Sequence, residues 1–313
     1  MNETWNILTA VSATAKQQPS DTRWAGVLFI ILGIAFIALG IILRLKYRNT
    51  RVFQVNKSNN LSISGESIIG DRRYQQDYFL FTPDTEDPAI KDAGLLAIVC
   101  DGMGGLQGGE IASRMCAETV YNGFYQLGKT DDICHVLKEL VTVADQEVSA
   151  LKDRSGNKLK SGTTVVAVVV RGNKAYWVSA GDSRIYFYHN GRLEQITRDH
   201  NFKLLLQEQC NAGYITQKEV DTDKQKEALI SYVGKGSDLI IDTGEFEFGV
   251  AKNDIILLCS DGLYKSLAES DIKKLVAEHA SNIVRLPLML AKSAMGAGRA
   301  GKHDNITVLA LKR

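Results

Sequence analysis

The hydrophobic pattern separates one long apolar segment near the N-terminus from a region of short, alternating apolar and polar runs. Residues 25–43 (AGVLFIILGIAFIALGIIL) contain no charged side chain over 19 positions. As a helix they would extend for roughly 29 Å, about the thickness of a hydrocarbon core. A buried core helix would usually keep a polar face, and a cleaved signal peptide would have a basic start and a shorter apolar run. The pattern therefore predicts an uncleaved transmembrane anchor.

The charges around this segment predict its orientation. Before it, Lys16 and Arg23 are offset by Glu3 and Asp21, and after it no acidic residue occurs until Glu66. The basic residues that follow the segment are Arg44, Lys46, Arg48, Arg51 and Lys57. Because positive loops stay in the cytoplasm, the C-terminal side is expected there.

These features divide the chain into four segments. We expect a short non-cytoplasmic N-terminus at 1–24, a transmembrane helix at 25–43, a basic juxtamembrane linker at 44–60 and one domain at 61–313. The protein would then be a single-pass protein of the cell membrane whose large domain is cytoplasmic.

The pattern of the large domain predicts both strands and helices. Short β-branched runs bounded by Gly, Asp or Asn predict strands at 95–100, 163–170, 175–179, 184–188, 255–259 and 306–311. Helical spacing predicts helices at 110–124, at 133–151 after an Asp131 or Asp132 cap, and at 272–280 after a Ser270 or Asp271 cap. Thr216 and Glu219 form the pattern of a capping box. The expected class is α+β, with helices covering antiparallel sheets.

Charge and cysteine usage exclude several classes of protein. The chain has 37 Lys and Arg against 36 Asp and Glu, with the basic excess confined to the first 60 residues. The remainder is slightly acidic, so binding to nucleic acid is not expected. The five cysteines include no CxxC pair, and none has an Arg six residues later. A zinc ribbon, a disulfide framework and a cysteine-dependent phosphatase are therefore disfavoured.

Four aspartates occupy similar places in the predicted sheets. Asp101 and Asp261 follow strands, Asp304 precedes one, and Asp182 lies in a turn between two. Any one of them alone is most simply a turn residue. Together they could meet at one rim, where two carboxylates 4 Å apart would repel by ~4 kcal/mol at an effective dielectric of 20. Such a cluster needs protons or cations, and all-oxygen ligands favour Mg²⁺ or Mn²⁺.

Six short motifs in order strengthen this interpretation. They are IGDRRYQQD at 69–77, VCDGMGG at 99–105, SGTT at 161–164, GDSR at 181–184, SDGL at 260–263 and DNIT at 304–307. The set resembles the motifs of the PPM (type 2C) family of metal-dependent Ser/Thr protein phosphatases, in its bacterial form. The resemblance implies an α-β-β-α sandwich of two antiparallel sheets flanked by helices, with a two-metal Mn²⁺ or Mg²⁺ centre between the sheets.

The resemblance also implies roles for the acidic residues in the metal centre. Asp77 is expected to hold one metal ion and Asp101 to bridge both. The main-chain carbonyl of Gly102 would complete the first site. Asp261 and Asp304 match ligands on the side of the second metal.

The remaining matched positions concern a third metal and the substrate. Asp182 matches a residue that, with Asp261, holds a third, weaker metal, and Arg72 occupies the place of an arginine that grips the substrate phosphate. Gln75 replaces a usual Asn. Met103 stands where many eukaryotic members have a His that could protonate the leaving oxygen, so the general acid is unassigned. The implied reaction is direct attack by a metal-bridging water, with no Ser or Cys nucleophile.

The leading hypothesis is a membrane-anchored phosphatase that hydrolyses phosphoserine and phosphothreonine in cytoplasmic proteins. Its partners would be phosphoproteins made by a cognate kinase, and the catalytic domain is expected to be monomeric. The alternative is a catalytically silent PPM-fold module that regulates or binds a partner. Intact Asp77, Asp101, Asp261 and Asp304 argue against silence. The resemblance also implies that the segment 201–236 forms the flap beside the site.

Overall fold

Twelve strands form the described part of two antiparallel sheets in the computed structural model. The structure describes residues 49–52, 61–83, 85, 87–104, 108–236, 238–251, 253–297 and 303–313. The strands are β1 (Asn49–Val52), β2 (Ser62–Ile68), β3 (Asp77–Phe81), β4 (Leu95–Gly104), β5 (Ser161–Thr163), β6 (Val165–Arg171), β7 (Lys174–Ala180), β8 (Arg184–His189), β9 (Arg192–Gln195), β10 (Asp242–Glu247), β11 (Ile255–Cys259) and β12 (Ile306–Lys312). One sheet has the order β1-β2-β12-β11-β8-β9, the other β10-β7-β6-β4-β3, and β5 pairs with β4.

Eight helices occur among the described residues, and four of them cover the outer faces of the sheets. The eight are α1 (Pro88–Ala93), α2 (Gly108–Leu127), α3 (Ile133–Ser149), α4 (Phe202–Asn211), α5 (Gln217–Thr222), α6 (Asp261–Tyr264), α7 (Glu269–His279) and α8 (Leu286–Ala297). The apolar faces of α2 and α3 pack on the β4–β6–β7 side, whereas α7 and α8 pack on β11 and β12. A third apolar layer lies between the two sheets.

The hydrophobic run of β6 shows why the layers form. Val166, Val168 and Val170 point into the layer between the sheets, whereas Val165 and Val169 point towards the helices. A strand that is buried on both faces needs apolar residues at every position, because successive side chains alternate. The sandwich predicted from the sequence is confirmed.

The N-terminal predictions fall largely outside the described residues. The proposed anchor at 25–43 and the segment 1–24 lie there, so the structure leaves both untested. Where side chains and backbone are described, no helix is long and apolar enough to cross a membrane. Within the expected linker 44–60, residues 49–52 form β1, which pairs with β2. Residues 49–313 cluster as one compact unit.

Several boundaries follow the sequence and others do not. The strand at 255–259 is confirmed, and the run at 163–170 is interrupted at Thr164, which separates β5 from β6. Asp132 caps α3 by accepting a hydrogen bond from the His135 amide at 3.0 Å. The capping box of Thr216 and Glu219 is also confirmed.

The predicted cap of α7 is wrong. The helix begins at Glu269 after an extended Ala268, which makes no side-chain capping bond. Ser270 and Asp271 therefore lie in the first turn, where an acidic side chain is favourable near the positive end of the helix.

Candidate active site

The register of β3 and β4 places the first two aspartates side by side. Asp77 pairs directly with Asp101 across the two strands. Because side chains alternate along a strand, both share the face that carries Phe79 and Val99 into the layer between the sheets. The acidic pair therefore lies where this apolar layer ends.

Asp77 is buried and held by the opposite sheet. The Ser260 hydroxyl donates to Asp77 Oδ2 at 2.7 Å, and the Thr307 amide donates to the same Ser260 hydroxyl at 2.9 Å. Thr307 also shares a 2.8 Å hydrogen bond with Ser67. Ser260 and Thr307 lie in the SDGL and DNIT motifs, but neither was predicted as a site residue. Their proximity to Asp77 follows from the stacking of the two sheets, which a local sequence pattern does not record.

The other predicted residues line one cleft of about 510 Å³ between the sheets. These residues are Arg72, Asp101, Gly102, Asp182, Asp261 and Asp304. Glu227, Leu229 and Tyr232, from the segment expected to be the flap, form part of the same wall. The structure thus brings the six motifs together around one cavity.

Burial and mutual repulsion change the acidity of this cluster. Burial raises the pKa of Asp77 to about 7, and the hydrogen bond from Ser260 opposes the change. The pKa of Asp101 is well above its usual range because its carboxyl is removed from water and faces the neighbouring aspartates. Burial, followed by repulsion from Asp261, raises the pKa of Asp182 to about 6. The cluster therefore needs positive charge if all its members are to be ionised at neutral pH.

Two basic side chains supply part of that charge. Arg72 Nη2 lies 2.5 Å from Asp304 Oδ2. Lys265 Nζ lies 2.5 Å from Asp261 Oδ2 and 3.5 Å from Asp182 Oδ2. Lys265 was not predicted from the sequence, although its spacing of four residues from Asp261 on a helical turn was a usable signal.

The backbone brings the motifs into contact at two glycines. A Cβ on Gly102 would collide with the carbonyl of Gly109, so only glycine lets β4 pass so close to α2. Gly70 has φ +64° and lies against the Asp304 carbonyl, which a larger residue would displace. These contacts fix the loops that carry Arg72 and Asp304.

Side-chain amides complete the packing of the first motif. Asn305 Nδ2 donates to the Ile69 carbonyl at 2.7 Å, and the Gln76 amide donates to Asn305 Oδ1 at 2.8 Å. Gln75, the departure from the usual Asn, donates to Ser67 Oγ at 2.7 Å and accepts from the Asp77 amide at 3.3 Å. Gln75 therefore performs a positioning role with its longer side chain.

The donor set fits a hard divalent cation. Asp77 Oδ1 and Asp261 Oδ1 are buried and have no hydrogen-bond partner among the described residues. Carboxylate and carbonyl oxygens are the ligands that Mg²⁺ and Mn²⁺ prefer. No three His, Cys, Asp or Glu side chains in the described ranges converge as a ready-made metal cage; instead, Arg72 and Lys265 neutralise the outer carboxylates.

Comparisons with known proteins agree with this geometry. A family model described as Protein phosphatase 2C matches residues 64–288. The Listeria monocytogenes serine/threonine phosphatase stp is 27% identical over 226 residues, which are 71% of this chain and 86% of that protein.

Solved structures show the same fold. The S. agalactiae serine/threonine phosphatase superposes with a TM-score of 0.65 at 27% identity, over 80% of this chain and 99% of that one. The catalytic domain of PstP in complex with two manganese ions gives a TM-score of 0.63 at 26% identity, over 80% and 97%. With its motifs gathered in one acidic cleft, the chain belongs to the protein phosphatase 2C family and is a protein serine/threonine phosphatase.

Proposed function

We propose that the chain is a Mn²⁺- or Mg²⁺-dependent phosphatase of phosphoserine and phosphothreonine, anchored in the cell membrane with its catalytic domain in the cytoplasm. The observation that carries the metal dependence is the acidic cleft, where Asp101, Asp182, Asp261 and Asp304 face one cavity and Asp77 lies buried beside Asp101. The PstP neighbour with two manganese ions supports the same assignment.

The residues that would hold two ions are those at the ends of the inner strands. Asp77, Asp101 and the Gly102 carbonyl would serve the first ion, and Asp101, Asp261 and Asp304 the second. When bound, such ions polarise the phosphate as Lewis acids and acidify water. The unpartnered oxygens Asp77 Oδ1 and Asp261 Oδ1 are the atoms with capacity left for this role.

The protein's own contribution is to position the phosphate, while the two thiols next to the site aspartates stay protonated. Arg72 lies at the exposed rim of the cleft, where its guanidinium can meet two phosphate oxygens. Phosphoryl transfer needs little covalent help from a protein. Burial raises the pKa of the Cys259 thiol to about 12 and that of Cys100 well above its usual range, so neither thiol is a nucleophile at neutral pH.

The membrane location is supported by the sequence alone. The apolar segment 25–43 is long enough to span a bilayer, and the basic residues after it favour a cytoplasmic C-terminal side. The substrates would then be cytoplasmic phosphoproteins made by a cognate kinase, and the catalytic unit would act as a monomer.

The metal dependence is tested with the full chain in detergent micelles. Hydrolysis of p-nitrophenyl phosphate and of a phosphothreonine peptide should require added Mn²⁺ or Mg²⁺ and stop in EDTA. Asp101→Asn keeps the side-chain size but removes the charge expected to bridge both ions. It should lower kcat/KM by at least ~100-fold, or about 2.7 kcal/mol, while the protein stays folded by circular dichroism. Full activity in EDTA, or in Asp101→Asn, would contradict the proposal.

A further inference from the structure

Lys265 occupies an unusual position between two site carboxylates. Its ammonium lies 2.5 Å from Asp261 Oδ2 and 3.5 Å from Asp182 Oδ2. The side chain of Asp182 is only 4% exposed, so the ion pair closes over a carboxylate that has little contact with water. Lys265 lines the same cleft as Arg72, on which the substrate phosphate is expected to bind.

The surrounding contacts hold Lys265 in this place. The Tyr264 hydroxyl donates to the Asp182 carbonyl at 2.9 Å, which ties α6 to the turn that carries Asp182. The guanidinium of Arg184 lies 3.5 Å from the centre of the Tyr264 ring and is bound by both oxygens of Asp199. These contacts fix the backbone that carries Lys265, so its ammonium is held beside the carboxylates of Asp182 and Asp261.

Lys265 occupies the place where an additional metal ion would meet the two carboxylates. A metal shared by Asp182 and Asp261 would need an oxygen of each, and the Lys265 ammonium lies within ion-pair distance of the Oδ2 atoms of both. Asp261 Oδ1, by contrast, is buried without a hydrogen-bond partner among the described residues. The carboxylate of Asp261 can therefore bind the second ion with Oδ1 and pair with Lys265 through Oδ2.

We propose that Lys265 takes the place of a third metal ion, so that this chain binds two divalent ions where the family resemblance predicts a third, weaker one at Asp182. The ammonium neutralises the Asp182–Asp261 pair and repels a further cation. Lys265 is then a positioning residue that turns Asp261 Oδ1 towards the second ion. This inference rests on the proposed metal dependence.

Metal stoichiometry tests the proposal directly. Mn²⁺ is titrated into the full chain in micelles, with free Mn²⁺ counted by electron paramagnetic resonance and heats measured by calorimetry. Lys265→Met keeps the length of the side chain and removes its charge. The matched control is Lys274→Met, at an exposed position of α7. A double variant, Lys265→Met with Asp182→Asn, removes the carboxylate that a new site would use.

We expect the wild type and Lys274→Met to bind two Mn²⁺ each. Lys265→Met should bind a third, weaker ion, and the double variant should return to two. Three ions in the wild type, or two in both the wild type and Lys265→Met, would overturn the proposal while metal dependence stands. A wild type that binds no Mn²⁺ would instead refute the proposed metal dependence, and this inference would fall with it.

Discussion

The side chain of Arg72 both pairs with a site carboxylate and remains accessible at the mouth of the cleft. It pairs with Asp304 at 2.5 Å, yet its side chain is 59% exposed at the mouth of the cleft. The hydrogen bond that Arg72 donates to Asp304 raises the pKa of Arg72 further, so the guanidinium is always charged. A phosphate group entering the cleft would thus meet a preplaced fork of donors.

Replacing Arg72 by Ala should weaken phosphate binding without loss of metal binding. A charged hydrogen bond contributes ~1.5–3 kcal/mol, which corresponds to roughly a 10- to 150-fold fall in kcat/KM. Part of this loss should appear as a raised KM, together with weaker competitive inhibition by free phosphate. Mn²⁺ affinity should not fall, because Arg72 competes with metal for Asp304. Steady-state kinetics and calorimetry measure the two effects.

The neighbouring arginine provides the control. Arg73 is exposed and does not line the cleft, so Arg73→Ala should be nearly silent. Arg72→Lys should recover part of the loss, since lysine offers a point charge without the fork. If Arg73→Ala lowers kcat/KM strongly and Arg72→Ala only slightly, the motif was aligned one residue out of register.

The acidity of Asp77 predicts how the metal-free domain responds to pH. Its folded pKa of about 7 exceeds the unfolded value of ~3.9, so the native state holds a proton that the unfolded chain releases. The stability that Asp77 contributes therefore falls as pH rises from ~4 towards 7 and levels off above 7. With a slope of at most ~1.4 kcal/mol per pH unit, Asp77 alone should account for a loss of about 2 kcal/mol between pH 5.5 and 8.

Urea unfolding of residues 49–313 in EDTA measures this loss. Asp77→Asn has no such proton and should reduce the dependence by the share of Asp77, leaving the contributions of Asp101 and Asp182, whose pKa values are also raised. Saturating Mn²⁺ should reverse the trend, because metal binding requires ionised carboxylates. An unchanged slope in Asp77→Asn would show that the proton resides elsewhere in the cluster.

At the scale of elements, the short strand β5 joins the metal side of the cleft to the flap. The Thr163 amide and carbonyl bond to Val233 at 2.9 and 2.8 Å. Gly162 lies against the ring of Tyr232, and a Cβ added at Gly162 would stand 2.5 Å from the nearest ring atom. Tyr232 lines the cleft, so the position of β5 sets the position of one substrate-facing wall.

Gly162→Ala should therefore displace Tyr232 and impair substrate binding. Overpacking of this kind costs ~1–3 kcal/mol, and a tenfold fall in kcat/KM for a phosphopeptide, ~1.4 kcal/mol, is expected. Adding Tyr232→Ala should relieve the stability loss but not restore the KM. Gly296→Ala is the control, since a Cβ there meets open space within a helix. Equal KM values for Gly162→Ala and the wild type would contradict the coupling.

Apolar patterns predicted some of the buried elements and missed others: β2, with the sequence SISGESI, is almost fully buried but was not predicted. Apolar β11 and the stripe of α3 were found because periodicity reports buried faces. The strand β10, with the sequence DTGEFE, was missed because most of its residues are half-exposed and polar. Its place is set by pairing with β7, a tertiary contact that no local pattern records.

At the scale of the whole molecule, the site residues also separate into those that a local pattern predicts and those that it does not. The acidic residues could be predicted because each stands in a short motif at a strand end. Ser260 as the partner of Asp77, and Lys265 as the partner of Asp182, could not, because 183 and 83 positions of sequence separate them. Only the stacking of two sheets brings those positions together.

The proposed orientation of the whole chain in the membrane can be tested from both sides of the bilayer. We expect residues 25–43 to span the bilayer and the basic flank to stay in the cytoplasm. An enzyme that works only in the cytoplasm should then be active when fused after Arg313, and one that works only outside the cell should be inactive there. Protease added to the outer face should remove no more than residues 1–24. Replacing Arg44, Lys46 and Arg48 by Gln should weaken this preference and yield a mixed population, whereas Lys273→Gln and Lys274→Gln, at exposed positions of α7, should not. Cleavage of residues 61–313 from outside would overturn the proposed location, and the cytoplasmic substrates proposed with it.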